Sequence, residues 1–340
     1  MENAKFGTGL IPDPEDKRDY VYKPLGGDLG VIMTNEEWEN GYDIEKELGI
    51  KIKPKNQYSS SSCVGQGSSS LSAVLDFIET KTWDEHSAKA IYSQIALANG
   101  GAYLRGAMKL LKEWGELYEK QLKSYKENGE TDEDFMRDLS WKTPEMNKLA
   151  KTLQAKDYKR ITGFDIDTFA KAIKDGKGVL MGVTGTNNGT WKSVYPIPPT
   201  LTTPYSELWG HALYAGKFKI ENGKKYIGVL NSWGNIGDEG WQWLGEEWFG
   251  DGGRWIINPW VLIDKPNNNN ENMTFKKLKN ENDIYACNEE SKLKCLITDM
   301  PTLNVMYELT GIYNFMEVEN LDDYKKCSLE SLLGVDRKIN

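Results

Sequence analysis

The chain has 340 residues, of which 39% are hydrophobic and 27% are charged, and its formal net charge is -9. These values are typical of a folded globular protein with one large core or two moderate ones, and they exclude disorder over most of the chain. The acidic balance excludes a sequence-independent nucleic-acid binder, because that class needs a surplus of Lys and Arg to neutralise phosphates. An apolar signal core and a stretch of ~20 apolar residues are both lacking, so we predict a cytoplasmic or virion-associated protein without a membrane span.

The cysteine pattern argues against disulfides and metal sites. Cys63 is the first of four cysteines, and the next is Cys287, so the long N-terminal part holds one thiol without a local partner. Disulfide stabilisation, which is typical of secreted proteins, is therefore not expected there. Cys287, Cys295 and Cys327 have no histidine near them in sequence, which is a poor zinc pattern. We expect plain thiols or one optional disulfide, with no metal and no cofactor.

Helical signals dominate the first half of the chain. Residues 1–56 include the proline-containing stretch 11–20, which disfavours helix, so we predict an extended arm that wraps around a body. Apolar residues at helical spacing after Cys63 predict a helix of about five turns, with N-cap candidates among the four serines before it. Two more helices are predicted at about residues 88–96 and 104–125.

The second half changes to strand-like sequence. After a short helix that ends near Gly176, five apolar runs predict strands at residues 179–183, 212–220, 226–230, 241–244 and 255–263. The pair Asn222-Gly223 between two of them is typical of a hairpin turn. A helical half of about residues 57–165 and a β half of about 166–265 predict an α+β domain with a cleft between two subdomains.

The C-terminal region has the signals of a separate module. Four asparagines at positions 267–270 predict a linker over residues 266–272. Residues 273–340 then form a small accessory module, with two alternating strands predicted at 283–287 and 292–297. The sequence leaves open whether this module binds an assembly or targeting partner or is a structural appendage.

One set of residues fits nucleophilic catalysis. Cys63 is reactive only as a thiolate, which a helix N-terminus and a nearby imidazole both favour. His211, at the start of a predicted strand, is the candidate base, and Asn231 is placed to orient its ring. Gln57, six residues before the cysteine, is the candidate side-chain donor to an oxyanion.

Three motifs around these residues resemble the signature blocks of the papain-like cysteine peptidase family, in that family's chain order. They are Gln57 with Ser62-Cys63, then Gly210-His211-Ala212, then Asn231-Ser232-Trp233-Gly234. Residues 11–20 and the Gly-rich stretch 237–241 extend the resemblance to about residues 10–264, and the residues after Cys63 look most like bacterial and viral branches.

The resemblance implies a fold, a mechanism and a set of roles. The expected fold has a helical left half and a β-barrel-like right half, with the active site in the cleft between them. The expected activity is endopeptidase hydrolysis of a peptide or protein through an acyl-enzyme thioester, with Cys63, His211 and Asn231 as catalytic residues. Gln57 would lie in the oxyanion hole, and Trp233 would cover the His–Asn hydrogen bond.

Some features depart from the family pattern or leave alternatives open. Val64 and Ile236 stand where aromatic residues are common, which leaves the substrate preference undetermined. Fewer residues precede Gln57 than the family's usual inhibitory pro-segment contains, so zymogen control of the usual kind is not expected, although the arm could itself be cleaved. A catalytically silent binding or structural protein of a larger assembly, and a thioester-based acyltransferase, remain alternatives. We expect His86 to be a surface or capping residue.

Overall fold

The computed structural model describes residues 8–17, 19–22 and 33–263, together with five strands in the C-terminal region. The helices are α1 (Asn35–Asn40), α2 (Ile44–Leu48), α3 (Cys63–Thr80), α4 (Ala88–Ile95), α5 (Leu104–Glu113), α6 (Glu133–Arg137), α7 (Pro144–Ala150) and α8 (Ile166–Gly176). The strands before residue 264 are β1 (Leu10–Ile11), β2 (Tyr42–Asp43), β3 (Ala102–Tyr103), β4 (Asp157–Arg160), β5 (Val179–Thr186), β6 (Leu208–Glu221), β7 (Lys224–Leu230), β8 (Trp241–Gly245) and β9 (Ile256–Ile263).

The chain divides into two compact units, Met1–Asp264 and Lys265–Asn340. In the second unit the strands β10 (Met273–Leu278), β11 (Ile284–Asn288), β12 (Leu293–Ile297), β13 (Phe315–Val318) and β14 (Lys325–Lys326) form one sheet in the order β13-β10-β11-β12-β14. The two strands predicted there are β11 and β12, which pair antiparallel. The asparagine run 267–270 and Cys327 lie outside the described residues.

The first unit is α+β, as predicted. Helices α3, α4 and α5 form one part, and a seven-stranded sheet with the order β4-β9-β5-β6-β7-β8, in which β2 also pairs with β6, forms the other. Each described pairing in this sheet is antiparallel. The expected barrel-like half is instead an open sheet over the described strands.

The sheet carries a core on each face. Successive side chains of a strand point to opposite faces. Leu180 of β5 accordingly packs with the buried residues of α3, α4 and α5, whereas its neighbours Val179 and Met181 pack with α8 residues such as Phe169. Because both faces are covered, the first five residues of β5 (179–183) include no polar side chain and do not alternate.

The central helix and hairpin follow the sequence closely. Helix α3 starts at Cys63 and has 18 residues, which is five turns. Strands β6 and β7 are joined through Asn222 and Gly223, whose φ values of 51° and 76° fit the left-handed positions of a tight hairpin turn.

Two predictions of local structure are wrong. The helix expected over about 104–125 ends at Glu113, because Gly115 has a φ of 94° and a side chain there would collide with the carbonyl of Ala150. The N-terminal arm is not wholly extended, since it contains α1 and α2. The side chains of Thr34 and Asp43 cap these two helices.

No helix in the described ranges is long and apolar enough to span a bilayer.

Candidate active site

Cys63 is the first residue of α3 and is completely buried. Ser62, one of the four candidate serines, occupies the N-cap position, but its hydroxyl makes no capping bond. Its hydroxyl instead lies 2.7 Å from that of Ser60. The first-turn N–H groups are therefore not used by a serine cap, and a helix N-terminus of this kind favours an anion.

Burial controls the protonation of the thiol. Loss of water raises the pKa of Cys63 to about 11, although backbone hydrogen bonds from Ala212, Gly9 and Val64 act in the opposite direction. Ala212 directly follows His211, so the thiol lies beside the strand that carries the imidazole. In the described state the thiol is neutral at pH 7.

His211 lies on β6, opposite Val183 of β5, and is also completely buried. Its Nε2 atom is 2.8 Å from Oδ1 of Asn231, which directly follows β7. Its Nδ1 atom has no hydrogen-bond partner among the described residues. Burial lowers the pKa of His211 to about 4, and the hydrogen bond to Asn231 acts in the opposite direction.

Three tryptophans enclose the imidazole. Trp233 stacks on the His211 ring with centroids 4.3 Å apart and an interplanar angle of 24°. Trp191 and Trp209 meet the same ring edge-on, at 6.5 and 6.2 Å. Sequence reasoning identified Trp233 alone, since nothing in the spacing of the other two connects them to the histidine. This enclosure keeps competing water away from the His211–Asn231 bond.

Gln57 is buried in the loop before α3, and its amide is held at both ends. Its Nε2 donates to the carbonyl of Ser60 at 2.8 Å, and its Oε1 accepts from the Ser232 hydroxyl at 2.6 Å. An amide nitrogen carries two hydrogens, so one remains after the Ser60 bond. That second N–H is the group an oxyanion would need.

The N-terminal arm lies over these residues. Strand β1 pairs in parallel with β3 on the helical side, and the Gly9 carbonyl accepts from the Ala102 N–H at 2.8 Å. On the sheet side a side chain at Gly210 would collide with the Leu10 carbonyl. Leu10, only 4% exposed, therefore packs against β5 and β6 at Gly182 and Gly210 and belongs to the same buried cluster as Cys63.

A set of charged residues anchors the arm. The Asp13 carboxylate accepts from the backbone N–H of Arg105 and from the indole N–H of Trp260, at 3.1 and 2.9 Å. The Arg105 guanidinium in turn binds the carboxylate of Asp19 at 2.5 Å. Burial raises the pKa of Asp13. The sequence of residues 11–20 predicted an arm that wraps around a body. Nothing in the sequence indicated that Arg105 binds Asp13 and Asp19 of this arm. Arg18 lies outside the described residues.

His86 is not a surface residue, contrary to expectation, because it is 1% exposed. Its Nδ1 lies 3.0 Å from Glu116 and its Nε2 lies 3.4 Å from Asp76. Burial alone would lower the pKa of His86, but the two carboxylates outweigh it and raise the pKa to about 9. Over the ranges that the structure covers, no group of three or more His, Cys, Asp or Glu side chains suits a metal ion.

Comparison with known proteins gives structural neighbours only. No protein-family model and no curated protein matches the chain. Xylellain, a cysteine protease from Xylella fastidiosa, superposes with a TM-score of 0.60 at 21% identity, over 77% of this chain and 97% of that one. A digestive procathepsin L2 from the larval midgut of Tenebrio molitor gives 0.57 at 18% identity, over 76% of this chain and 78% of the other.

A third neighbour is procathepsin B S9 from Trypanosoma congolense, with a TM-score of 0.55 at 12% identity over 76% of this chain and 87% of the other. All three cover 76% or 77% of this chain. The helices, the antiparallel sheet and the structural neighbours all indicate the same fold. The chain has the α+β fold of the papain-like cysteine proteases.

Proposed function

We propose that the protein is a cysteine endopeptidase in which Cys63 attacks the peptide carbonyl and His211 takes and returns the thiol proton. The observation that carries the proposal is the His211–Asn231 pair, 2.8 Å apart, with His211 on β6 and Asn231 just after β7. Ala212, the residue after His211, contacts the thiol of Cys63 at the N-terminus of α3. Asn231 holds the ring so that Nδ1 is free for the thiol proton. The second N–H of Gln57 and the backbone N–H of Cys63 stabilise the developing oxyanion.

The contents of the cleft support a peptide substrate. The cleft already binds an extended segment of its own chain, because β1 adds to β3 by main-chain pairing. Main-chain pairing of this kind recognises extended peptides of any sequence, and adjoining pockets select side chains. Leu10 occupies such a pocket beside Gly182. The groove is therefore suited to a peptide or unfolded protein segment.

In this proposal the covered state is inactive. Cys63 and His211 are both buried and neutral, and moving a proton between them would create two charges without water to solvate them. Residues 8–11 must leave before substrate can enter. A long pro-segment is not needed for this control, since a few residues of the arm suffice to fill the cleft.

The direct test is the Cys63→Ala variant, made in a background whose arm has been loosened by Leu10→Glu. We expect peptide hydrolysis to be lost while the melting temperature and far-UV circular dichroism stay those of the parent. Retained hydrolysis in Cys63→Ala would exclude the proposed nucleophile. A parent that is open yet hydrolyses no peptide would instead favour a silent binding protein. The cytoplasmic or virion location and the role of residues 273–340 stay predictions.

A further inference from the structure

Gln242 is a buried amide whose partners connect it to the candidate active site. It is the second residue of β8, pairs with Val229 of β7 and is completely buried. A buried side-chain amide is costly unless its donors and its acceptor are all used. All of them are used here, so the direction of each bond can be read from the chemistry of the partner.

The amide nitrogen of Gln242 faces two backbone carbonyls. Its Nε2 donates to the carbonyl of Trp191 at 2.9 Å and to that of Ser193 at 2.7 Å. Carbonyl oxygens can only accept, so the atom that faces them must be the NH₂ group. The Oε1 atom consequently points the other way, where it lies 2.7 Å from Nδ2 of Asn231.

The orientation of the Gln242 amide determines the orientation of the Asn231 amide, and through it the nitrogen of the imidazole that carries the hydrogen. Oε1 of Gln242 can only accept, so Asn231 presents its NH₂ group there and its Oδ1 to His211. The backbone N–H of Ser232 also donates to this Oδ1 at 2.7 Å, which fixes the amide in the same sense. Since Oδ1 accepts, Nε2 of His211 must carry the hydrogen, and Nδ1 keeps its lone pair.

We infer that Gln242 is a positioning residue that sets the tautomer of His211, by relaying hydrogen-bond direction from the carbonyls of Trp191 and Ser193 through Asn231. In a flipped Asn231 amide, the oxygen would face the Oε1 acceptor of Gln242 and the NH₂ group would face the N–H donor of Ser232. The flipped orientation is therefore disfavoured at both ends. The catalytic use of this tautomer rests on the proposed function, because Nδ1 is then the atom that accepts the Cys63 proton. The tautomer itself does not depend on that function.

The test is an NMR measurement of ring nitrogens in the full-length chain labelled with 15N-histidine. The chain has two histidines, and they are easy to distinguish at pH 7. His86, with its pKa of about 9, gives the pattern of a ring protonated on both nitrogens, whereas His211, with its pKa of about 4, is neutral. We expect His211 in the wild-type protein to show the Nε2–H form alone.

The variant Gln242→Met keeps the side-chain volume and removes both hydrogen-bonding ends. We expect an Nδ1–H signal to emerge for His211, since one partner of Asn231 is lost. Gln154→Met is the matched control, because the Gln154 amide also donates to two backbone carbonyls, those of Lys112 and Glu113, outside the site. The control should leave the His211 spectrum unchanged.

Two outcomes would overturn the inference. One is an Nδ1–H or mixed tautomer of His211 in the wild-type protein, which decides the question even when Gln242→Met fails to fold. The other is a folded Gln242→Met protein whose His211 spectrum equals that of the wild type. In the Leu10→Glu background we also expect kcat for peptide hydrolysis to fall roughly 5- to 10-fold, with KM within about twofold, as for the loss of one neutral hydrogen bond. An inactive parent would count against the proposed function and leave the spectroscopic test standing.

Discussion

At the residue scale, the geometry of the candidate site indicates that the side-chain amides of Asn231 and Gln57 would act at different stages of the proposed reaction. Asn231 is bound to His211 in the described state, so its contribution is made before any substrate arrives. Gln57 is held by Ser60 and Ser232 with one N–H left over, so in the proposed mechanism it contributes only when charge develops on the substrate. Removing either one should therefore affect different measurements.

We predict that Gln57→Ala lowers kcat by about 10²-fold with KM little changed, as for other side-chain donors to an oxyanion. It should spare alkylation of Cys63 by a small neutral reagent in the Leu10→Glu background. Asn231→Ala should lower both turnover and alkylation. Kinetics and alkylation rates of the two variants, which each lose one neutral amide, provide the comparison. Slowed alkylation in Gln57→Ala, or no effect of Asn231→Ala on either rate, would show that the roles are misassigned.

The buried charges around His86 predict a pH dependence of stability. The folded pKa of His86 is raised to about 9, so its contribution is complete below the unfolded value of about 6.5 and is lost as pH rises through 9. We predict that the free energy of unfolding, measured by urea titration, falls between pH 6.5 and 9. His86→Gln should flatten this fall.

His211→Gln is the control for that measurement, because His211 acts in the opposite direction. Its folded pKa is lowered to about 4, so its contribution is present above pH 6.5 and is lost as pH falls towards 4. Cys63, with its pKa raised to about 11, changes the free energy of unfolding only above about pH 9. A fall between pH 6.5 and 9 that persists unchanged in His86→Gln would show that the Asp76–His86–Glu116 cluster is not its cause.

At the element scale, the elements that follow from local signals are those that the sequence predicted well. Helix α3 and the β6–β7 hairpin have apolar periodicity and turn residues in agreement with their tertiary contacts. The end of α5 depends on Ala150, which approaches Gly115 from a distant part of the chain. The path of β1 depends on β3 and β6 together, so no local pattern of residues 8–11 could reveal that they cover the cleft.

We predict that Leu10→Glu opens the cleft. Leu10 lies among buried apolar residues, and an ionised carboxylate there would be strongly disfavoured. The alkylation rate of Cys63 at pH 7 should rise at least about tenfold, because water would then reach the thiol and allow it to ionise. Leu10→Met, which conserves volume, is the control and should leave the rate near that of the wild type. Equal rates in the wild type and in Leu10→Glu would show that β1 does not control access.

At the scale of the whole molecule, the division into two units predicts independent folding of the first. The cores of α3–α5 and of the β4–β9 sheet are built from residues before position 264. We predict that removal of residues 267–340 leaves a folded protein that, with Leu10→Glu, still cleaves a small peptide. Melting temperature and peptide hydrolysis provide the measurement. Insolubility, or a large fall in melting temperature, would mean that the second unit completes the first.

The proposed chemistry can be tested most directly by labelling with an epoxysuccinyl inhibitor of cysteine peptidases, followed by peptide mapping. In the Leu10→Glu protein at pH 6 we expect the label on Cys63 and on none of the other three cysteines, with far slower labelling of the wild type. His211→Ala in the same background should lose the label, because ordinary thiols are protonated at that pH. Labelling spread evenly over the four cysteines, or full labelling of Cys63 without His211, would contradict a peptidase site built from these two residues.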